Sequence, residues 1–195
     1  MKKGHFFMII GHSGVGKKLI QDKLIENIDN LFKIVSHTSR DKRPNEIEGE
    51  DYYFISKNEY LKMYKNKEFI MHYEYKPNNQ FYGTSRVEVL SNIDKGKLII
   101  DETDEYSVYD MVENNLLDRE LFTSIYILPP KKEVLIERAK LRKEILPEEL
   151  KFRLEHYDDR MKDFEKYKKY FNFIVDSSDF DFAYNEIKKI ILKYN

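Results

Sequence analysis

The chain has 195 residues, of which 41% are hydrophobic, and 34 Lys and Arg residues nearly balance 35 Asp and Glu residues. This length favours one globular unit, and the balanced charge argues against a nucleic-acid partner or an anionic membrane surface. The absence of cysteine excludes disulfides, thiolate metal sites and cysteine nucleophiles, and it agrees with a reducing, cytoplasmic location.

The first predicted element is a buried strand over Phe6–Ile10, which is too short for a signal-peptide core or a membrane span. It runs directly into the loop Gly11-His12-Ser13-Gly14-Val15-Gly16-Lys17, which has the phosphate-binding pattern G-x-x-x-x-G-K. Glycines let a phosphate approach backbone N–H groups at a helix N-terminus, and Lys17 adds positive charge over the terminal phosphates. Apolar residues at helical spacing from Leu19 to Ile28 predict that helix. A glycine-rich turn that binds nothing is disfavoured, because three of the seven glycines fall within six residues.

Lys18 departs from the phosphate-loop pattern. This position normally holds Ser or Thr, whose hydroxyl ligates the Mg²⁺ that accompanies the nucleotide. An ammonium group cannot ligate a metal. Three alternatives follow: phosphates, water and other protein groups hold the metal, Lys18 itself supplies part of the charge, or the site is weakened. No protein ligand of the metal is therefore assigned.

A second strand is predicted over Lys33–His37, and it leads into a basic loop that contains Arg40 and Arg43. Guanidinium groups and phenolic hydroxyls are well suited to hold a small dianionic phosphate. Arg40, Arg43 and the later Tyr52 are therefore a candidate phosphate site, although loop arginines are more often solvated.

The middle of the chain reads as a small antiparallel insert. Aromatic, strand-like segments cover Asp51–Ile55 and Phe69–Tyr75, with turn residues at 76–79. Between them, Ser56 followed three residues later by Glu59 predicts the start of a helix.

The last part of the chain alternates strands and helices. Buried strands are predicted over Lys97–Asp101, Ser124–Leu128 and Phe171–Val175. Two helices follow Pro129-Pro130 and are separated near residues 143–147; the second has one apolar face formed by Leu150, Leu154, Tyr157, Met161 and Phe164. An amphipathic helix closes the chain. This alternation predicts an α/β fold with a parallel sheet covered on both faces.

Taken together, the motifs resemble those of the guanylate kinases. The matching segments are Gly11 to Lys17, Val35 to Arg40 with Arg43-Pro44, Gly49 to Phe54, Glu68 to Ile70, Phe81 to Ser85, Gly96-Lys97 with Ile99 to Asp101, and Leu128 to Pro130. They span nearly the whole chain in the right order, and the Tyr-Tyr-Phe and Tyr-Gly-Thr-Ser segments are specific.

The resemblance implies transfer of the terminal phosphoryl group of ATP, with Mg²⁺, to GMP. It implies a P-loop α/β fold with a core formed by residues 1–35, 96–130 and 168–195, an acceptor-binding insert at 36–90, and a helical lid with the following helix at 131–167. The expected partners are small nucleotides, and no oligomeric state is predicted.

The resemblance also implies roles for individual residues. The ATP-binding segment is Gly11, His12, Ser13, Gly14, Val15, Gly16, Lys17 and Lys18. The acceptor-binding residues are Ser36, Arg40, Arg43, Tyr52, Tyr82 and Thr84, and Asp101 is a candidate for contact with the acceptor or with water on Mg²⁺. The lid arginines are Arg138, Arg142 and Arg153, and Lys17, Arg43, Arg138 and Arg142 form the catalytic set.

The family resemblance implies that two acidic residues bind the guanine base, but this chain has no acid at either position. These positions hold Met71 and Thr103, and a methionine cannot accept hydrogen bonds from guanine N–H groups. Glu74, Glu102 or Asp104 would reach the base only if the local register shifts. Two hypotheses therefore remain: a nucleoside monophosphate kinase, for GMP or a changed acceptor, and a catalytically weak or inactive module that binds a nucleotide or a phosphorylated ligand.

Overall fold

The computed structural model describes residues 3–12, 14–75, 79–140 and 155–195. The strands are β1 (His5–Gly11), β2 (Leu31–Lys33), β3 (Ser36–Thr38), β4 (Tyr52–Phe54), β5 (Phe69–Tyr75), β6 (Gln80–Ser85), β7 (Leu98–Thr103), β8 (Phe122–Leu128) and β9 (Phe173–Asp176). The α-helices in these ranges are α1 (Lys17–Asn27), α2 (Lys57–Lys65), α3 (Arg86–Asp94), α4 (Glu105–Glu113), α5 (Lys132–Lys140), α6 (Tyr157–Tyr167) and α7 (Phe180–Leu192). None of the helices within those ranges is long and apolar enough to cross a membrane.

The larger sheet is parallel, with the strand order β2-β7-β1-β8-β9. Every residue of the central strand β1 is buried, because strands pair with it on both sides and helices cover both faces. Phe7 packs in a cluster with residues of α1 and α7, whereas Phe6 packs in a second cluster with residues of α3, α4 and α6. The predicted α/β fold with a parallel sheet covered on both faces is therefore confirmed.

The smaller sheet has the strand order β4-β3-β6-β5. Strands β5 and β6 form the antiparallel pair expected from the sequence, and β3 pairs antiparallel with β6. The sheet is mixed, however, because β3 and β4 are parallel. The connection between them covers residues 39–51, which is long enough to return the chain to the starting end of β3.

The predicted strand over Lys33–His37 is wrong in one respect, because the structure divides it between the two sheets. Leu31–Lys33 pairs with β7 in the larger sheet, and Ser36–Thr38 pairs with β4 and β6 in the smaller one. At the crossing, Ile34 is buried and donates its backbone N–H to Ile100 O at 3.1 Å. The chain stays extended but changes its pairing partner.

The other predicted elements agree with the structure where it describes them. Ser56 and Glu59 form a reciprocal capping box at the start of α2. Phe164 of α6 is buried, and Met161 packs against the same cluster. The predicted break between the two helices, at residues 143–147, lies outside the described residues. So do Leu150 and Leu154 of the predicted apolar face. The last strand is confirmed with a shift to Phe173–Asp176.

Candidate functional site

The phosphate loop connects the end of β1 to the start of α1. Gly14 and Gly16 have φ angles of 94° and 96°, which L side chains rarely adopt. At Gly11, a Cβ atom would lie 2.6 Å from the backbone oxygen of Ile127, so the neighbouring strand β8 leaves no room for a side chain. Ser13 lies outside the described residues. The glycines thus allow a backbone path that ends at a helix N-terminus, which suits an anion.

Lys17 is the first residue of α1, and its side chain folds back over the loop. Its Nζ donates hydrogen bonds to the backbone oxygens of Gly11, at 3.0 Å, and His12, at 3.3 Å. The same Nζ lies 4.0 Å from Oε2 of Glu102, which follows Asp101 in β7. The ammonium group is therefore positioned between the loop and the end of β7.

Lys18 points away from the loop. Its side chain is 75% exposed, and its Nζ pairs with Asp22 at 3.1 Å one helical turn later. Among the described residues, no group of three or more His, Asp or Glu residues could hold a metal ion. The described part of the chain therefore offers no protein cage for Mg²⁺.

Three predicted acceptor residues from three different strands meet at the end of β7. Ser36 Oγ and Thr84 Oγ1 both donate to Oδ2 of Asp101, at 2.6 and 2.8 Å, and the backbone N–H of Glu102 donates to Oδ1 at 2.9 Å. All three side chains are buried. Burial raises the pKa of Asp101 to about 6, although the hydroxyl donors favour the charged form and oppose the shift. This cluster joins the smaller sheet to the larger one.

A prediction follows for the titration of Asp101. Because its pKa rises from 3.8 to about 6 on folding, this carboxyl destabilises the fold as pH rises through that window. We expect a carboxyl ¹³C NMR titration to show a midpoint near 6. Thr84→Val removes a donor to the carboxylate and should raise the midpoint by roughly one unit. Ser91→Ala, on the surface of α3, is the matched control, and a midpoint below 4 in the natural chain would contradict this account.

Arg40 and Tyr52, predicted together as a phosphate site, are in contact. The Arg40 guanidinium lies 5.1 Å from the centre of the Tyr52 ring, and its Nη1 donates to Glu46 Oε2 at 2.6 Å. Nη2 donates to the other oxygen of Glu46, so the pair is bidentate. This contact raises the pKa of Arg40 and lowers that of Glu46. Arg43 is exposed, and its backbone N–H donates to the same carboxylate at 2.9 Å.

Tyrosines extend from Arg40 across one face of the smaller sheet. The rings of Tyr52 and Tyr82 are 5.8 Å apart, and those of Tyr82 and Tyr73 are 6.3 Å apart. Burial raises the pKa of Tyr52, so its phenol keeps its proton and can donate a hydrogen bond. Thr84 lies two residues after Tyr82 in β6 and therefore faces the same side.

The two departures from the family pattern lie close to this face. Met71 pairs with Thr84 and therefore shares its side of the sheet, but the residue is only 4% exposed and packs in the second core cluster. Thr103 ends β7 opposite Ile10 of β1. Glu74 pairs with Phe81, whose ring stacks on Tyr60 of α2. Opposed residues share a side, so Glu74 faces away from Thr84.

The predicted lid arginines fall largely outside the described part of the chain. Arg138 lies in α5. Arg142 and Arg153 lie outside the described residues, and their role stays a prediction.

Sequence reasoning missed an ion pair between α4 and α6. Arg160 Nη2 lies 3.0 Å from Glu105 Oε2, and the Glu105 side chain is only 2% exposed. Burial raises the pKa of Glu105, and Arg160 opposes that shift. The two residues are 55 positions apart in a chain with abundant charge, so no local pattern pointed to them. The available signal was Asp104, a residue type that favours the N-cap position and directly precedes Glu105. Its side chain accepts a hydrogen bond from Ser107 N at 2.7 Å and marks the start of α4, so Glu105 is the first residue of that helix.

Comparisons with known proteins agree with this geometry. The guanylate kinase family model matches residues 3–194. The chain is 38% identical to a guanylate kinase of Wigglesworthia glossinidia brevipalpis, with alignment over 100% of this chain and 90% of that one. It is 34% identical to a guanylate kinase of Mycoplasmoides gallisepticum, over 100% and 95% of the two chains. The crystal structure of guanylate kinase from Anaplasma phagocytophilum superposes with a TM-score of 0.73 at 28% identity, covering 99% of this chain and 87% of that one.

Proposed function

This chain belongs to the guanylate kinase family, and we propose that it transfers the terminal phosphoryl group of ATP to GMP, giving ADP and GDP. One observation carries the proposal. Lys17 of the phosphate loop lies beside Glu102, while the hydroxyls of Ser36 and Thr84 bind the preceding residue, Asp101. The donor loop and the acceptor face thus meet at two consecutive residues of β7, as direct transfer between two bound nucleotides requires.

In the proposed mechanism the protein supplies alignment and charge. Gly11 to Gly16 hold the phosphates of ATP against the backbone, and Lys17 turns from the loop carbonyls to the terminal phosphates. Arg40, Tyr52 and Tyr82 hold the acceptor phosphate. Arg43, Arg138 and Arg142, with Arg153, neutralise charge on the transferred group. No general base is needed, because the monophosphate acceptor is already an anion.

The proposed reaction would use Mg²⁺ that accompanies the nucleotide. Phosphate oxygens and water would hold this ion, and it would neutralise phosphate charge. Lys18 is directed to Asp22 and supplies no hydroxyl. Glu102, whose Oε2 lies 4.0 Å from Lys17 Nζ, would contact such an ion through bound water.

We also propose that the smaller sheet and its helices form the acceptor-binding insert over residues 36–90, with the lid and the following helix at 131–167. The crossing between β2 and β3 lies at the first of these boundaries.

A second candidate function is a binding module that keeps the phosphate sites without catalysis. Two observations favour it: the metal hydroxyl is replaced by Lys18, and Met71 is buried in the core. The two candidates differ in coupling. An enzyme binds ATP and a mononucleotide cooperatively when its lid closes, whereas a module without phosphotransfer binds them independently.

A coupled ADP-release assay tests the proposal. We expect turnover of Mg-ATP with GMP in a panel that also contains dGMP, AMP, CMP, UMP and IMP. Lys18→Ser restores a hydroxyl beside the phosphates and should raise kcat/KM about tenfold at limiting Mg²⁺. Lys189→Ser, an exposed position on α7, is the matched control. No turnover with any acceptor would overturn the kinase proposal, and activity only in Lys18→Ser would place the defect at the metal position.

A further inference from the structure

Tyr52, which in the proposed reaction donates a hydrogen bond to the acceptor phosphate, begins a short edge strand. This strand, β4, has three residues and pairs in parallel with β3. A short strand at the edge of a sheet makes few contacts of its own, so it opens locally at low free energy. The turn before it bonds to itself, because Asp51 Oδ2 accepts from Ile47 N at 2.9 Å and Asp51 N donates to Ile47 O at 3.0 Å. These bonds shape the turn but do not attach it to the larger sheet.

Lys33 connects this turn to the larger sheet. It is the last residue of β2 and pairs with Ile100, which directly precedes Asp101 in β7. Its Nζ donates to the backbone oxygen of Asp51 at 3.0 Å, and the same ammonium group lies 5.5 Å from the centre of the Tyr52 ring. The lysine is partly buried, so these contacts are partly shielded from bulk water. The Lys33 side chain therefore joins the end of β2 to the start of β4.

Two cations lie against the Tyr52 ring, one from the larger sheet and one from the loop after β3. The Lys33 ammonium is 5.5 Å from the ring centre and the Arg40 guanidinium is 5.1 Å from it, and both distances are within the usual reach of a cation–π contact. Burial, and after it the charge of Asp101, raises the pKa of Tyr52. The phenol is thus close enough to the end of β7 to respond to that carboxylate.

We propose that Lys33 is a positioning residue for the acceptor phosphate. It holds β4 against the end of β2, so that the Tyr52 hydroxyl donates to the same phosphate that Arg40 binds. Lys33 acts through Tyr52, because its ammonium group is directed to Asp51 O and to the tyrosine ring. The inference rests on the proposed function, since it takes Arg40 and Tyr52 to hold the acceptor phosphate.

Calorimetric binding of GMP to the full chain tests the inference without requiring turnover. Lys33→Met keeps a side chain of similar length but removes the donor and the charge, and we expect it to weaken GMP binding by about tenfold. ATP affinity, measured on the same preparations, should stay unchanged, because Lys33 contacts the acceptor side. Lys33→Arg keeps a donor and a cation over the ring, so its GMP affinity should stay within about threefold of that of the natural chain.

A double-mutant cycle separates positioning from direct binding. Tyr52→Phe removes the hydroxyl and keeps the ring. If Lys33 acts through that hydroxyl, Lys33→Met should weaken GMP binding by no more than about twofold in the Tyr52→Phe background. The same loss in both backgrounds would show that Lys33 contacts the phosphate itself, and it would overturn the inference. An equal loss of ATP and GMP binding would show a general effect on the fold and would overturn it as well.

The matched control is Lys169→Met, which removes an exposed ammonium group that lies 4.8 Å from the ring of another tyrosine, Tyr170. It should leave GMP binding unchanged. GMP binding with the expected coupling between Lys33 and Tyr52, but without turnover, would contradict the kinase proposal and leave the inference standing. Turnover of GMP with unchanged GMP affinity in Lys33→Met would overturn the inference and leave the kinase proposal standing. A natural chain that binds no GMP would overturn both.

Discussion

Lys17→Met should lower kcat by about 10³-fold while the protein stays folded. In the structure, the Lys17 ammonium contacts the Gly11 and His12 carbonyls and lies 4.0 Å from Glu102. In the proposed reaction it compensates charge that develops on the transferred phosphoryl group, an interaction stronger in the transition state than in the ground state. Methionine has a similar length and no charge, so the substitution removes mainly this interaction. Steady-state kinetics with Mg-ATP and GMP measure the effect.

Lys189→Met is the matched control, because it removes a charge from an exposed position on α7. A loss confined to the KM for ATP, with kcat retained, would mean that Lys17 only binds the donor and would contradict the proposed role.

Arg40→Met should raise the KM for GMP by about 100-fold and lower the free energy of unfolding by about 3 kcal/mol. The arginine side chain is 6% exposed and that of Glu46 is 16% exposed, so the variant leaves a partly buried carboxylate without its bidentate partner. The loss of acceptor binding has a separate cause, because the guanidinium is the proposed phosphate ligand. Urea unfolding and substrate kinetics on the same preparations measure the two effects.

Glu46→Gln separates these effects. It removes the carboxylate but keeps the guanidinium beside Tyr52, so it should lower stability while raising the KM for GMP much less than Arg40→Met does. Equal KM values in the two variants would mean that Arg40 acts only through the ion pair, and they would contradict its role as a phosphate ligand.

The fold was predictable where the pattern is local. The continuous apolar run of Phe6–Ile10 indicated a buried strand, and the glycine spacing located the loop before α1. The division between β2 and β3 was not predictable, because Ile34 and Val35 fit an extended strand as well as their neighbours do. What changes there is the pairing partner, from Ile100 in the larger sheet to residues of the smaller sheet, and strand pairing is a tertiary choice.

The candidate site was partly predictable for the same reason. Motifs predicted Lys17, Arg40, Tyr52 and Asp101 as site residues. In the structure Lys17 lies beside Glu102, Arg40 contacts Tyr52, and Asp101 accepts hydrogen bonds from Ser36 and Thr84. The partner of Arg40 was not predictable, because Glu46 is one of three alternating acids in a polar loop. Only the structure shows that it is less exposed than Glu48 and Glu50 and contacts Arg40. The loss of an acid at residue 71 was visible in the sequence, whereas the burial of the methionine depends on its packing in the second core cluster, which is a tertiary contact.

The position of β1 in the larger sheet has a consequence for synthesis on the ribosome. Its two neighbours are β7 and β8, and Phe6 pairs with Ile99 on one side and Phe122 on the other. At about 5–20 residues per second, the ribosome needs roughly 6–23 s after Phe6 to reach the second partner. Throughout that interval the apolar strand lacks β8, and for most of it the strand also lacks β7. A chaperone that shields nascent apolar segments would therefore be most useful before β8 emerges from the ribosome.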